Sequence, residues 1–159
     1  ATIHRAETTN DISRLRSILD ILGVLAEEMK ILMPLHPRTR QVIEKAQVNF
    51  STRIKVLDPC SYLSMVGLTC GAATVVTDSG GLQKEAYFAG VPCVTLRDET
   101  EWVETLDCGW NRLAGADDSE EMYQSIMSAL SFQTDVPQDS IYGDGDAAGK
   151  ILDVIASLA

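Results

Sequence analysis

Only two histidines, His4 and His36, occur in the 159 residues. They stand far apart in sequence with no clustered acidic partner, a poor basis for a metal site, so none is expected. The four cysteines, Cys60, Cys70, Cys93 and Cys108, form neither a Cys-x-x-Cys pair nor a zinc-like spacing. Reduced thiols in a cytoplasmic protein are the expectation. No apolar run reaches the ~18 residues of a membrane span, and no signal-peptide pattern is present. Positive charge is also scarce: 13 Lys and Arg against 23 Asp and Glu leave a net charge of −10. That balance disfavours nucleic acid and anionic membranes as partners. A phosphorylated ligand would have to be held locally, by backbone dipoles and a few Arg or His side chains.

Several nucleotide and hydrolase signatures are absent too. Gly-x-Gly-x-x-Gly does not follow any strand, which excludes a nicotinamide dinucleotide site and leaves no cofactor expected. Gly149-Lys150 fails as a P-loop, because Ile151 follows it and Asp144 stands where the first Gly belongs. Ser79 lies in a strand–turn–helix context, but Thr77 replaces the first Gly of a nucleophile elbow. Both histidines precede Ser79, whereas in α/β-hydrolases the His comes last. Asp144-Gly145-Asp146 lacks the spacing of a calcium loop and reads as a solvated turn.

What is present is an alternation of strand and helix patterns with short connections. The length suffices for one domain with a sizeable core. Thr9 or Asn10 caps a first helix, whose stripe is Ile12, Leu15, Ile18, Leu19, Leu22, Leu25 and Met29. Strands are expected over 31–35, 53–57, 73–76, 91–96 and 112–114. Helices are expected over 39–45, 62–70, from Ser79 to a cap near Gly90, over 100–106, from Ser119 and over 147–158, with irregular chain over 131–145. This predicts a doubly wound parallel sheet of five or six strands, a Rossmann-like three-layer αβα domain over residues 1–159. The chain opens on Ala1-Thr2-Ile3, with no Met and no room for a full strand before His4-Arg5, which reads as a fragment.

The stretch Val75-Val76-Thr77-Asp78-Ser79-Gly80-Gly81 reads as a buried strand, a tight turn and a helix start. Bare backbone N–H groups at a helix N-terminus, beyond the end of a parallel strand, make an anion site. Ser79, Gly80 and Gly81 are therefore candidates for holding a diphosphate. Glu85, about one turn further on, suits a ribose, whose vicinal hydroxyls can donate to a carboxylate. Its plainer reading is an exposed helix charge. His4 and Arg5 could approach the same crevice.

Six ordered motifs then carry a resemblance: Thr2-Ile3-His4-Arg5-Ala6-Glu7, His36-Pro37-Arg38-Thr39, Thr77 through Ala86, Gly90-Val91-Pro92, Leu96 through Trp102, and Tyr142-Gly143-Asp144-Gly145. Over essentially the whole chain this resembles the C-terminal half of the non-hydrolysing UDP-N-acetylglucosamine 2-epimerase family. The resemblance implies the second, UDP-binding domain of a GT-B fold, with an N-terminal domain missing and a homodimer when full length. It implies interconversion of UDP-N-acetylglucosamine and UDP-N-acetylmannosamine, by elimination of UDP, proton transfer at C2 and re-addition. Under it, Ser79, Gly80 and Gly81 match the pyrophosphate turn, Glu85 the ribose-binding Glu, and His4 the catalytic His that helps the leaving group. His36 matches a His that contacts a regulatory second UDP-sugar in bacterial members. The His-Pro-Arg-Thr run differs from their His-Leu-Asn, so regulation is not carried over. Cys60 and Met65 stand at positions near the uracil where family members often have Gln and Phe. Trp102 stands where an Arg often follows Thr-Glu. These departures leave room for a UDP-diacetamido sugar or its uronate. A hydrolysing relative and a GT-B glycosyltransferase domain are the alternatives. The last helix, crossing back to the other domain in GT-B proteins, is expected to lack packing here.

Overall fold

The computed structural model describes residues 1–115, 117–132 and 140–158. The apolar stripe read from the sequence forms α2 (Ile12–Leu25), burying Leu15, Ile18, Leu19, Leu22 and Leu25 along one face. Its cap is Asp11, whose carboxylate accepts the N–H of Ser13 and Arg14, rather than Thr9 or Asn10. The reason is that 6–9 already coil into a short unforeseen helix, α1 (Ala6–Thr9), so the break falls later. β1 (Leu32–Pro34) follows, then α3 (Pro37–Lys45), which starts at Pro37 because a proline suits the first helical turn.

β2 (Lys55–Leu57), α4 (Tyr62–Cys70), β3 (Val75–Thr77), α5 (Gly80–Phe88) and β4 (Cys93–Thr95) continue the alternation. Gly90 takes φ +65° directly past the α5 cap residue Ala89, the left-handed turn its position suggested. α6 (Val103–Asp107), β5 (Asn111–Leu113) and α7 (Ser119–Leu130) complete the main body. Of the irregular stretch expected over 131–145, residues 133–139 lie outside those described.

All strand pairings are parallel, β1 with β2 and β3 with β4 and β5. The two groups meet through the first three residues. Ala1 donates to Leu32 O at 2.8 Å, and Thr2 bridges Thr77 and donates to Val76 O at 2.9 Å. The spatial order is therefore β2, β1, the N-terminal segment, β3, β4, β5, with the order reversing beside that segment. This is the Rossmann-like αβα arrangement expected. One core cluster joins α2 and α7 to the sheet through Leu19, Leu22, Val94, Met122 and Ile126. The other joins α4 and α5 to it through Val75, Leu82, Ala86 and Cys93. Burial pushes the Cys93 thiol up to about 12, so it is an inert core group.

The last helix, α8 (Ala147–Ser157), contributes no buried residue. Ile151, Leu152, Val154, Ile155 and Leu158 are 58–82% exposed, in line with the unpacked terminal helix expected. Among the described residues no helix is long and apolar enough to cross a membrane.

Candidate functional site

The parallel strands deliver their following loops to one edge, so His4, His36, Asp78 and Arg97 gather at the C-terminal ends. Asp78 organises this edge. It is fully buried, and its carboxylate accepts the backbone N–H of His4 at 3.0 and 3.1 Å and of Arg5 at 2.9 Å. The chain is thereby turned at the end of the N-terminal segment. The His4 ring lies with Nδ1 3.6 Å from Asp78, and its centroid is 5.5 Å from that of His36. The two histidines, read separately from the sequence, thus share one edge. His36 also caps α3, its Nδ1 accepting the Arg38 N–H at 3.2 Å, which leaves Nε2 to carry the proton in the neutral ring.

The turn between β3 and α5 is held from behind. Ser79 N–H donates to Thr77 Oγ1 at 2.9 Å. Its carbonyl accepts from Gln83 Nε2 at 3.2 Å, and the Gly80 carbonyl accepts the Trp102 indole N–H at 2.8 Å. Gln83 is itself buried and fixed, its Oε1 accepting from Thr100 Oγ1 at 2.6 Å and Asn111 Nδ2 at 3.2 Å. Two carbonyls are thus occupied on the protein side, while the first N–H groups of α5 have no carbonyl four residues earlier in the helix. Ser79 occupies the cap position, which favours a serine hydroxyl as acceptor, yet it makes no side-chain cap bond. Thr77 takes the adjacent N–H instead.

A Cβ added to Gly80 would come within 3.2 Å of Arg5 Nη2 and 3.5 Å of Glu101 Oε2. Arg5 therefore lies directly over the turn. A Cβ on Gly81 would meet nothing within 4 Å, so Gly81 faces open space. Glu101 is gripped by Arg97 through two hydrogen bonds, at 2.9 and 3.1 Å, and lies 3.7 Å from Arg5 Nη2. The Arg97 fork holds the Glu101 carboxyl down at about 2. Glu85 stands four residues after Gly81 on the same helix face and makes no side-chain hydrogen bond or ion pair among the described residues. Met65 packs from α4 against the Leu82 cluster, and Cys60 donates to Asp58 O at 3.4 Å just before that helix.

The structure thus brings His4, Arg5, Ser79 and Gly80 together, with His36 alongside. Sequence reasoning missed Asp78, Gln83 and the positive role of Trp102. The signal for Asp78 was its place between a buried strand and a glycine turn, where a carboxylate commonly gathers backbone N–H groups. The Tyr142 motif packs its ring 5.7 Å from Tyr87 and 6.2 Å from Trp102, with Lys84 Nζ 4.4 Å from the Tyr142 ring and 4.2 Å from that of Trp102. A cavity of 470 Å³ lies at the opposite ends of the strands, around Ala1, Ile31 and Val75. Its lining is mostly apolar.

An αβα domain whose anion-receptive helix N-terminus opens where the strand order reverses belongs to the Rossmann-like class that forms half of a GT-B protein. Within that class, the chain belongs to the UDP-N-acetylglucosamine 2-epimerase family, whose profile matches residues 1–156. It is 43% identical over 159 residues to the UDP-2,3-diacetamido-2,3-dideoxy-D-glucuronate 2-epimerase of Pseudomonas aeruginosa, covering 99% of this chain and 44% of that protein. A UDP-N-acetylglucosamine 2-epimerase of Methanococcus maripaludis is 36% identical, over 97% of this chain and 43% of its own. The crystal structure of Methanocaldococcus jannaschii UDP-GlcNAc 2-epimerase in complex with UDP-GlcNAc and UDP superposes with a TM-score of 0.86 at 30% identity. That match covers 98% of this chain and 44% of that one, so the chain spans less than half the length of these relatives.

Proposed function

We propose that residues 1–159 are the UDP-binding domain of a UDP-sugar 2-epimerase, completed by an N-terminal domain that supplies the proton-transferring groups. The observation that carries this is the turn at Ser79 and Gly80, with its carbonyls bonded on the protein side and Arg5 over it. In this reading the diphosphate lies on the α5 N-terminus and under Arg5, and Glu85 takes the ribose hydroxyls. Met65 and Cys60 border the base.

The reaction is the interconversion of UDP-N-acetylglucosamine and UDP-N-acetylmannosamine. The C1–O bond to UDP breaks with its electron pair leaving on the phosphate, and the C2 proton passes to a base of the other domain. A C1–C2 double bond forms. Protonation of C2 from the opposite face and re-addition of UDP at C1 complete the exchange. Breaking the C1–O bond builds charge on the departing phosphate, and donors that strengthen as this charge grows lower the barrier. In this reading His4 takes that part. The His36 ring lies beside it. The protein works in the cytoplasm, as a homodimer, without a cofactor.

A second substrate, UDP-2,3-diacetamido-2,3-dideoxy-glucuronate, is favoured by the 43% identity to an enzyme of that name. Trp102 in place of the family's frequent Arg leaves room for such a related substrate.

The test is to incubate full-length protein with each UDP-sugar, without acceptor, and follow the products by NMR. The 2-epimer is expected. Free sugar plus UDP would instead make it a hydrolysing enzyme, and no turnover of either compound would sink the reading. The 159-residue chain alone is expected to bind UDP weakly and turn over neither.

A further inference from the structure

Glu101 is out of place beside a diphosphate site. Its Oε2 lies 3.5 Å from the Cβ position of Gly80, at the N-terminus of α5, where an incoming phosphate would meet a like charge. Arg97, only 7% exposed, holds it bidentately, so the carboxylate cannot easily leave. Arg97 is further flanked by Glu7, at 3.9 Å from its Nε. Arg97 is therefore committed to its own carboxylates. Arg5 is different: it is a third exposed, reaches Glu101 only at 3.7 Å, and has its backbone fixed by Asp78. Its guanidinium is loosely held and its base is rigid.

We propose that Glu101 is a built-in counter-anion that parks Arg5 over the Gly80 turn and competes with the diphosphate for it. This rests on the diphosphate reading given above. On binding, the Arg5 fork passes from Glu101 to the phosphate oxygens, while Glu101 stays on Arg97. The device suits a reaction in which the same diphosphate must be gripped as it departs and released again to re-add. A grip of unopposed cations would hold the departed nucleotide too long. Glu101 acts through Arg5 and is a positioning residue.

UDP binding to the full-length protein, measured by titration calorimetry, tests this with Glu101→Gln, Arg5→Gln and the double variant. Glu101→Gln is expected to bind UDP about two- to fivefold tighter, the range for one partly exposed charge at a helix N-terminus. A structural lesion would not tighten binding. In the Arg5→Gln background the Glu101→Gln change is expected to have a markedly smaller effect, because the competition has lost its object. Weaker or unchanged binding in Glu101→Gln, or the same gain in both backgrounds, overturns the proposal. Should Glu101→Gln fail to fold, Arg5→Gln alone decides: it leaves the Arg97 fork intact and is expected to weaken UDP binding, and unchanged affinity overturns the idea. Absence of UDP binding in the unmodified protein would defeat the diphosphate reading itself, separately from the role of Glu101.

Discussion

The buried carboxylate of Asp78 receives the backbone N–H of His4 on both oxygens, 74 residues away in sequence. It also receives the N–H of Arg5, so one side chain places two candidate ligand-binding residues. Replacing it by Ala would strand both donors in a partly buried setting. Asp78→Ala is expected to cost about 2–6 kcal/mol in urea unfolding, from one to three for each unmet group. Asp78→Asn keeps one acceptor and is expected to cost less. Both should weaken UDP binding, and an Asp78→Ala protein of unchanged stability would remove the organising role given to this residue.

Gly80 and Gly81 are expected to respond to a methyl group alike in UDP affinity but differently in stability. Gly80→Ala presses on the tip of Arg5, a flexible group, so stability changes little while UDP affinity falls. Gly81→Ala meets no atom of the protein and reduces the freedom of the unfolded chain, giving about 0.4–1 kcal/mol of added stability. Its methyl group projects into the ligand's space, so UDP affinity should drop despite the firmer fold. Undiminished UDP binding by Gly81→Ala would place the diphosphate elsewhere.

Glu85 offers a cleaner separation of binding from stability, since its carboxylate has no partner among the described residues. Glu85→Ala should unfold at the same urea concentration as the unmodified protein. UDP affinity should fall by about ten- to a hundredfold, the scale of hydrogen bonds to a charged group. With 2′-deoxy-UDP the loss should shrink, because one of the hydroxyl donors is gone. An equal loss for both nucleotides would disconnect Glu85 from the ribose.

Acid should weaken the Arg97–Glu101 fork in a defined window. The Glu101 carboxyl is depressed from 4.5 to about 2 when folded. A depressed acid favours the folded state fully above the unfolded value, and that contribution is lost as pH falls from 4.5 through about 2. Urea midpoints of the unmodified protein and of Glu101→Gln should therefore converge as pH drops through this range. A gap that stays constant with pH would assign the effect to packing rather than charge.

Much of this was legible in the sequence, and the reasons differ by element. α2 was legible because burial of Leu15, Leu19 and Leu22 follows helical spacing. The turn at Gly80 was legible because strand, cap position and glycines adjoin one another. The boundaries moved where capping chemistry decided them, as at Asp11 and Pro37. The approach of His36 to His4 was not legible, for it depends on which strands become neighbours. Nor was Trp102, which the sequence presents only as a lost cation. Its indole N–H in fact fills the place behind Gly80 from a residue 22 positions away.

Among the described residues the two strand groups are hydrogen-bonded to each other through the segment at Ala1 and Thr2, by the Ala1–Leu32 and Thr2–Val76 bonds and the Thr2–Thr77 bridge. Such closure must wait until loops of some 30 and 75 residues have collapsed, since its contacts bring no reward before then. The crevice is therefore expected to assemble late in folding. Loss of these cross-group bonds would erase the site while leaving most of the hydrophobic core in place, making ligand competence a sharper gauge of nativeness than helix content.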